Sequence, residues 1–358
     1  MLKLLFAFKD HVSFFNIFQY ITFRAAYAAV TALLISFLFG PSVIARLRAM
    51  KTGWAVREDT PETHKAKAGT PTMGGVLIIL AVAVSTVLWE DPASTYTWLL
   101  LFAALGFGGI GFADDYLKMS HRGSGISAGV KFGGQILISA VIVTVLYLQR
   151  SDTTTLLYVP FLKRPLVDLS WFYVPFAVVL MVGYSNAVNL TDGLDGLAIG
   201  LVIMVALSLT VLAYLTGRVD YADYLQVPFV KGGSEIAIFT LAVVGASVGF
   251  LWFNAHPADV WMGDTGSLAL GGVLGVVALI LKKEILILIL GGVFVLETLS
   301  VVIQVLSFKL RGGKRVFKMA PLHHHFELSG WQESKVVTRM WILGGLFAIL
   351  GLSTLKIQ

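Results

Sequence analysis

The sequence predicts an all-α, polytopic membrane protein with about ten transmembrane helices. Hydrophobic residues make up 57% of the 358-residue chain and charged residues 13%, against about 25% charged in soluble domains. Ten apolar runs approach the ~20 residues that a helix needs to cross a bilayer. They lie near residues 21–40, 72–89, 96–113, 130–148, 171–190, 196–215, 236–254, 267–281, 285–307 and 337–355.

The distribution of Lys and Arg predicts the topology, because cytoplasmic loops carry an excess of these residues. The odd-numbered connections between runs hold 16 of the 27 Lys and Arg, and the even-numbered ones hold 7. We therefore expect the odd-numbered connections in the cytoplasm and both termini outside, on the periplasmic side. The net charge of +6 follows this asymmetry, so we expect a lipid bilayer and no nucleic acid as partner.

The segment before the first run, from Met1 to Tyr20, mixes Leu and Phe with charged residues and predicts an interfacial amphipathic segment. A cleaved signal peptide would need a short apolar core that ends at small residues, whereas Ala25, Ala26 and Ala28 open the run here. The sequence thus predicts one integral membrane domain over residues 1–358. The absence of cysteine gives no disulfide framework.

The first cytoplasmic connection, residues 41–71, carries six basic residues, Lys67 among them, and ends in a Gly/Pro-rich turn before Gly74 and Gly75. A basic loop that closes on such a turn at a helix start could hold an anion. Positive-inside anchoring alone explains the same residues equally well.

The third run ends in Asp114 and Asp115. Negative charge at a helix C-terminus opposes the macrodipole, and adjacent acids repel, so a metal, a cation or a shared proton should compensate them. A solvated helix end balanced by Lys118 is the alternative. Lys131, at the start of the fourth run, could snorkel or bind an anion.

The fifth connection places two amides, two carboxylates and two glycines between long apolar runs, in the stretch Asn186 to Gly196. In a helix, Asn186 would share a face with Asn189, and Asp192 with Asp195. The glycines allow a ligand to come close. A helix-to-helix turn with an N-cap is the alternative, although a cap needs one polar residue.

The seventh connection contains Asn254, Trp261 and Asp264, and Asp264 lies at a helix start between glycines. A cap at Ser267 would leave backbone N–H groups open to a phosphate, while Asp264 offers a hard oxygen ligand to Mg²⁺. An Asp that caps the following helix is the alternative.

The ninth connection carries five basic residues before the run His323-His324-His325. Three consecutive histidines cannot all point one way from a regular helix, so we expect them on a loop. With acids nearby and no cysteine, Mg²⁺ and phosphates suit the chain better than zinc. Glu297 and Gln304 share one face of the ninth run, and Glu297 suits a structural role as well as a functional one.

The expected topology brings these residues to the cytoplasmic face, on the connections 41–71, 114–131, 190–196, 254–267 and 308–336. Acids at a membrane surface, with Mg²⁺ and basic residues, predict a site for a phosphorylated substrate, with a lipid as the second substrate. An ion-coupled transporter is the alternative, but its acids would lie near the bilayer midplane.

The same stretches resemble the polyprenyl-phosphate N-acetylhexosamine-1-phosphate transferases over nearly the whole chain. The resemblance lies in residues 69–75 (GTPTMGG), 112–115 (FADD), 186–196, 253–254 with 262–264, and 321–325 (PLHHH). The triple histidine favours the branch that uses UDP-MurNAc-pentapeptide over the GlcNAc-1-phosphate transferases. Trp261 is a departure, since Phe or a similar aromatic residue is expected there.

The resemblance implies a Mg²⁺-dependent phosphoglycosyl transfer at the bacterial inner membrane, by a protein that could form a homodimer. Undecaprenyl phosphate would attack the β-phosphate of UDP-MurNAc-pentapeptide, release UMP and leave lipid I, in the first membrane step of peptidoglycan synthesis. We expect catalytic roles for Asp114, Asp115, Asp264 and His324, with Asp264 as the metal ligand. Substrate binding is expected from Lys67, Lys118, Lys131, Asn189, Asp192, Asp195, Asn254, Trp261, Gln304, His323 and His325.

Overall fold

The computed structural model describes residues 1–50, 69–120, 124–149, 153–162 and 164–356, and helices dominate them. The α-helices are α1 (Ile21–Ala49), α2 (Gly75–Trp89), α3 (Thr95–Ser120), α4 (Ala128–Leu148), α5 (Tyr173–Thr191), α6 (Leu197–Thr216), α7 (Val219–Leu225), α8 (Gly233–Asn254), α9 (Gly263–Ile280), α10 (Leu286–Leu290), α11 (Gly292–Leu310), α12 (Leu322–Glu327) and α13 (Glu333–Ser353). Short 3-10 helices cover Leu2–Phe8, Ser13–Gln19, Ser170–Phe172 and Thr354–Lys356. The strands β1 (Leu156–Leu157) and β2 (Val167–Asp168) pair antiparallel.

The predicted membrane spans are confirmed as helices. Within the described ranges, nine helices are long and apolar enough to cross a membrane. The remaining span is α2, which is apolar but has only 15 residues. At ~1.5 Å per residue this helix is about 22 Å long. The protein is therefore an all-α, multi-pass membrane protein.

The core of the bundle is α9, which is buried at every position from Thr265 to its end. It packs against α3, α5 and α2. Glycines let the helices approach closely: a Cβ at Gly271 would lie 2.6 Å from the backbone of Ser185, and one at Gly245 would lie 2.0 Å from the carbonyl oxygen of Ala29. The first turn of α9 is thus held inside the bundle.

The two ends of α2 mark the two ends of the bundle. At its start, a Cβ on Gly75 would come within 2.1 Å of the backbone of Gly266 in α9. At its far end, the amino group of Met1 donates a hydrogen bond to the carbonyl oxygen of Val87 at 2.7 Å. The amphipathic N-terminal segment therefore lies at the end of the bundle opposite to Gly75.

Several predicted boundaries are wrong. The first helix continues through Pro41 to Ala49, because a proline in a helix removes one backbone hydrogen bond without preventing the helical φ. The ninth run is two helices, α10 and α11, which meet at Gly291. The hairpin β1–β2 and the helix α7 lie in connections that the sequence left without secondary structure.

Candidate active site

Two carboxylates and two lysines meet at the end of the bundle where α2 begins. Asp264, in the first turn of α9, accepts hydrogen bonds at Oδ2 from Nζ of Lys118 (2.9 Å) and of Lys131 (2.6 Å). Its Oδ1 accepts a hydrogen bond from Asn189 Nδ2 at 2.8 Å. The helices α3, α4, α5 and α9 thus each contribute a side chain to one cluster.

Asp114 joins this cluster through the same two lysines. Its Oδ2 lies 2.8 Å from Lys118 Nζ and 3.3 Å from Lys131 Nζ. Its Oδ1 accepts a hydrogen bond from the backbone N–H of Ile126 at 2.7 Å. Asp114 is 2% exposed, so the alternative of a solvated helix end is wrong. Lysines on two neighbouring helices provide the charge compensation that the paired acids need.

Asp115 faces a different way from Asp114 and binds the start of α9. Its Oδ1 accepts a hydrogen bond from the backbone N–H of Asp264 at 3.2 Å. Its Oδ2 accepts from both the backbone N–H (2.9 Å) and the hydroxyl (2.7 Å) of Thr265. The first N–H groups of a helix lack intrahelical partners, so Asp115 on α3 caps α9. The divergence follows from the ~100° between adjacent helical residues.

The stretch Asn186 to Gly196 is only partly helical, which corrects the expectation of a shared face for Asp192 and Asp195. The helix α5 ends at Thr191, and a turn follows until α6 begins at Leu197. Gly196 precedes α6 with φ of 78°, a conformation that favours glycine. Burial raises the pKa of Asp192 well above its usual range, and the carboxylates of Asp264, Asp115 and Asp195 raise it further.

Asp195 organises a second group of the predicted substrate-binding residues. Its Oδ1 accepts a hydrogen bond from the indole Nε1 of Trp261 at 3.0 Å, and its Oδ2 accepts from the backbone N–H of Ala258 at 3.2 Å. Asn254 lies beside it and accepts from the backbone N–H of Gly196 at 3.1 Å. The turn after α5 is therefore fixed to the connection between α8 and α9.

His256 and Glu333 complete this second group. His256 Nδ1 lies 3.1 Å from Asp195 Oδ2 and 3.5 Å from Glu333 Oε2, while Glu333 Oε1 accepts a hydrogen bond from the backbone N–H of Asp195 at 2.9 Å. The ligand atoms of the three residues lie within 4.8 Å of one another, which is compatible with a metal ion. The existing hydrogen bonds to Asp195 account for the same arrangement without one.

The three histidines lie on the short helix α12, so the prediction of a loop is wrong. A turn and a half of helix suffices to direct the three rings to different partners. His323 Nδ1 lies 3.2 Å from Glu297 Oε2 inside the bundle, and His324 Nδ1 lies 2.9 Å from Glu327 Oε2. His325 Nδ1 accepts a hydrogen bond from the backbone N–H of Lys318 at 3.1 Å.

Gln304 on α11 forms hydrogen bonds with the backbone of the basic ninth connection. Its Oε1 accepts hydrogen bonds from the backbone N–H groups of Val316 and Phe317, both at 3.0 Å, and its Nε2 donates to the carbonyl oxygen of Phe317 at 2.9 Å. The side chain therefore shapes the loop that carries the basic residues. Lys67 lies outside the described residues.

The chain is similar to known proteins over nearly its whole length. A model described as glycosyl transferase family 4 matches residues 97–282, and one described as phospho-N-acetylmuramoyl-pentapeptide-transferase signature 1 matches residues 67–79. A protein of Syntrophus aciditrophicus (strain SB), named phospho-N-acetylmuramoyl-pentapeptide-transferase, is 52% identical over 356 residues, which cover 99% of each chain. The chain belongs to glycosyl transferase family 4. The resemblance stated from the sequence motifs is thereby confirmed.

The match to glycosyl transferase family 4 spans α3 to α9. It therefore includes Asp114, Lys118, Lys131 and Asp264, which we call the acid–lysine cluster. Sequence reasoning missed three residues that contact the predicted acids. Thr265 binds Asp115, and His256 and Glu333 bind Asp195. His256 gave a weak signal as a histidine within the seventh connection. No sequence signal marked Glu333, because a Glu in the first turn is common in surface helices.

Proposed function

We propose that the chain transfers the phospho-MurNAc-pentapeptide group from UDP-MurNAc-pentapeptide to undecaprenyl phosphate, giving lipid I and UMP. The observation that carries the proposal is the cluster of Asp114, Asp264, Lys118 and Lys131 at one end of a membrane-helix bundle. The name of the 52% identical relative indicates the transferred group. The alternation of basic connections supports a site on the cytoplasmic side of a bacterial inner membrane.

The two lysines suit the chemistry of this transfer. Both reactants carry phosphate groups, so their approach requires positive charge at the reacting centre. Lys118 and Lys131 hold their ammonium groups within 3.3 Å of two carboxylates and could turn them towards incoming phosphate oxygens. Positioned charge of this kind stabilises a transition state without reorganisation of solvent.

Asp114 could position or deprotonate the lipid phosphate, as expected from the sequence. Both of its oxygens already accept hydrogen bonds, from Ile126 at Oδ1 and from lysines at Oδ2. A proton from the lipid phosphate would therefore have to displace a lysine at Oδ2 or use the second lone pair of Oδ1. A phosphate nucleophile is largely ionised at neutral pH, so this arrangement favours positioning over proton removal.

The donor atoms of the cluster fit Mg²⁺, the cofactor that the family resemblance implies. Mg²⁺ prefers carboxylate and other hard oxygen ligands and usually keeps several waters. Asp264 would hold the ion, and Asp114 would lie beside it, because the same two lysines contact both residues. When bound, the ion would supply a Lewis acid that neutralises charge on the diphosphate.

The second group is suited to the uridine end of the substrate. Asp195 can accept a hydrogen bond from the uracil N–H, and the Trp261 ring can stack on the base. The indole N–H of Trp261 donates to Asp195, so the two residues are already fixed relative to each other. We assign Asn189, which donates to Asp264, and Asp192 to the region between uridine and the acid–lysine cluster.

The proposal is tested with full-length protein in liposomes that contain undecaprenyl phosphate. We expect release of UMP and formation of a lipid-linked product from UDP-MurNAc-pentapeptide, and loss of both when EDTA removes Mg²⁺. UDP-GlcNAc serves as the comparison substrate, and its preferential turnover would reassign the chain to GlcNAc-1-phosphate transfer. Ion uptake into the liposomes without UMP release would favour the transporter alternative.

A further inference from the structure

Glu297 is a buried carboxylate in the second turn of α11, and His323 from α12 supplies the hydrogen-bond donors to its Oε2. The two residues are 0% and 1% exposed. Glu297 Oε2 accepts a hydrogen bond from the backbone N–H of His323 at 3.4 Å and lies 3.2 Å from His323 Nδ1. A carboxylate inside a membrane helix is costly and needs a partner. Here that partner is one residue, bound through its backbone and its ring.

The contact with a carboxylate determines which ring nitrogen of His323 carries the proton. An ionised carboxylate can only accept, so with Glu297 ionised a neutral imidazole carries its proton on Nδ1. The other nitrogen, Nε2, then has a free lone pair. It is buried, and none of the residues that the structure describes forms a hydrogen bond with it. A buried polar atom without a partner is uncommon and costs free energy.

The Nε2 atom faces the turn between α5 and α6. A Cβ built on Gly193 would lie 2.2 Å from Nε2 and 2.9 Å from Cε1 of His323. Gly193 follows Asp192 directly and lies in the same turn as Asp195. The imidazole edge therefore packs against the backbone of the turn that also carries Asp192 and Asp195. A ligand atom can reach Nε2 only when this turn moves away from the ring.

We propose that Glu297 is a positioning residue, which holds His323 with Nε2 directed to accept a hydrogen bond from a hydroxyl or amide N–H of the sugar part of the substrate. This inference rests on the proposed function. It assigns the sugar, and not the uridine diphosphate, to His323, because Asp195 and Trp261 form a separate group suited to the base. Glu297 acts only through His323, so the two residues should behave as one unit.

The test measures binding to purified full-length protein in lipid nanodiscs by calorimetry, with UDP-MurNAc-pentapeptide and with UDP alone. The variants are Glu297→Leu, Glu297→Gln, His323→Asn and the double variant Glu297→Leu/His323→Asn. We expect about tenfold weaker binding of the sugar nucleotide in Glu297→Leu and His323→Asn, as one lost buried hydrogen bond implies. The double variant should lose no more than either single one. Glu297→Gln keeps an acceptor and should lose less.

Binding of UDP should stay within about twofold in all these variants. Gly193→Ala should weaken sugar-nucleotide binding, because its Cβ would collide with Nε2, whereas Gly183→Ala on α5 is the matched control, with open space around its α-carbon. Equal weakening for UDP, or losses that add in the double variant, would overturn the inference. Failure of the wild-type chain to bind UDP-MurNAc-pentapeptide would instead contradict the proposed function.

The protonation state of His323 is checked separately on the wild-type chain, so the inference stays testable if a Glu297 variant does not fold. Nitrogen NMR of the labelled imidazole should show a proton on Nδ1 and an unprotonated Nε2. A neutral ring with its proton on Nε2 would refute the role given to Glu297.

Discussion

Asp115 and Thr265 lie on different helices, yet Asp115 Oδ2 accepts hydrogen bonds from both the backbone N–H and the hydroxyl of Thr265. This contact caps α9 from α3 and fixes the residue before Thr265, which is Asp264. The two neighbouring acids thus make different contacts. Asp114 contacts Lys118 and Lys131, whereas Asp115 fixes the position of Asp264, whose carboxylate the same lysines contact.

We predict that Asp115→Asn lowers the stability of the bundle by about 1–3 kcal/mol, because an amide places an N–H group against backbone donors. Thr265→Val removes only the hydroxyl bond and should cost about 1 kcal/mol. Thermal unfolding in detergent measures both variants. Asp264→Asn is the comparison for activity: it should abolish turnover, because it removes the carboxylate that both lysines contact. An unchanged unfolding temperature for Asp115→Asn would argue against a cap.

We predict that Lys118→Met and Lys131→Met each reduce kcat at least tenfold, since both ammonium groups are at the proposed reacting centre. Each variant should also reach half-maximal activity at a lower Mg²⁺ concentration, because one competitor for Asp264 Oδ2 is gone. Lys335→Met, at an exposed position on α13, is the matched control. A higher Mg²⁺ requirement in both variants would show that the lysines assist metal binding.

We predict that Trp261→Phe raises KM for UDP-MurNAc-pentapeptide about fivefold and leaves kcat nearly unchanged. The variant keeps an aromatic ring but loses the N–H donor to Asp195, a net loss of about 1 kcal/mol. Trp252→Phe changes the same atoms at a side chain that is 72% exposed on α8, and it should have no effect. Steady-state kinetics, with each substrate varied in turn, measure kcat and the KM for each substrate. A change confined to the KM of the lipid would move Trp261 to the lipid site.

We predict that Lys283→Met stabilises the protein without loss of activity. Burial lowers the pKa of Lys283 to about 8, and nearby Glu284 opposes this only partly. The charged form is thus disfavoured in the fold, and the unfolded chain binds the extra proton between about pH 8 and the ordinary lysine pKa. The gain in unfolding free energy should be largest below pH 8, up to about 3 kcal/mol, and should disappear towards pH 10.5. A pH-independent gain would indicate improved packing instead.

The spans could be predicted because the length of an apolar run reflects bilayer thickness. The connections that form the site could be grouped because Lys and Arg are concentrated in the odd-numbered connections. The cap formed by Asp115 could not be predicted, because its partner Thr265 is 150 residues away and no local sequence pattern links the two residues. Glu297 was left open for the same reason. Its partner His323 lies on α12, and only their packing shows that one orients the other.

The shortness of α2 bears on how the acid–lysine cluster lies relative to a bilayer. A helix of about 22 Å is shorter than the ~30 Å hydrocarbon layer, so a bilayer around it must thin or the start of α2 must be recessed below the headgroups. Gly75, at that start, touches the first turn of α9. If the start of α2 is recessed, the first turn of α9 lies below the headgroups, at a level that a membrane lipid reaches by lateral diffusion within its leaflet.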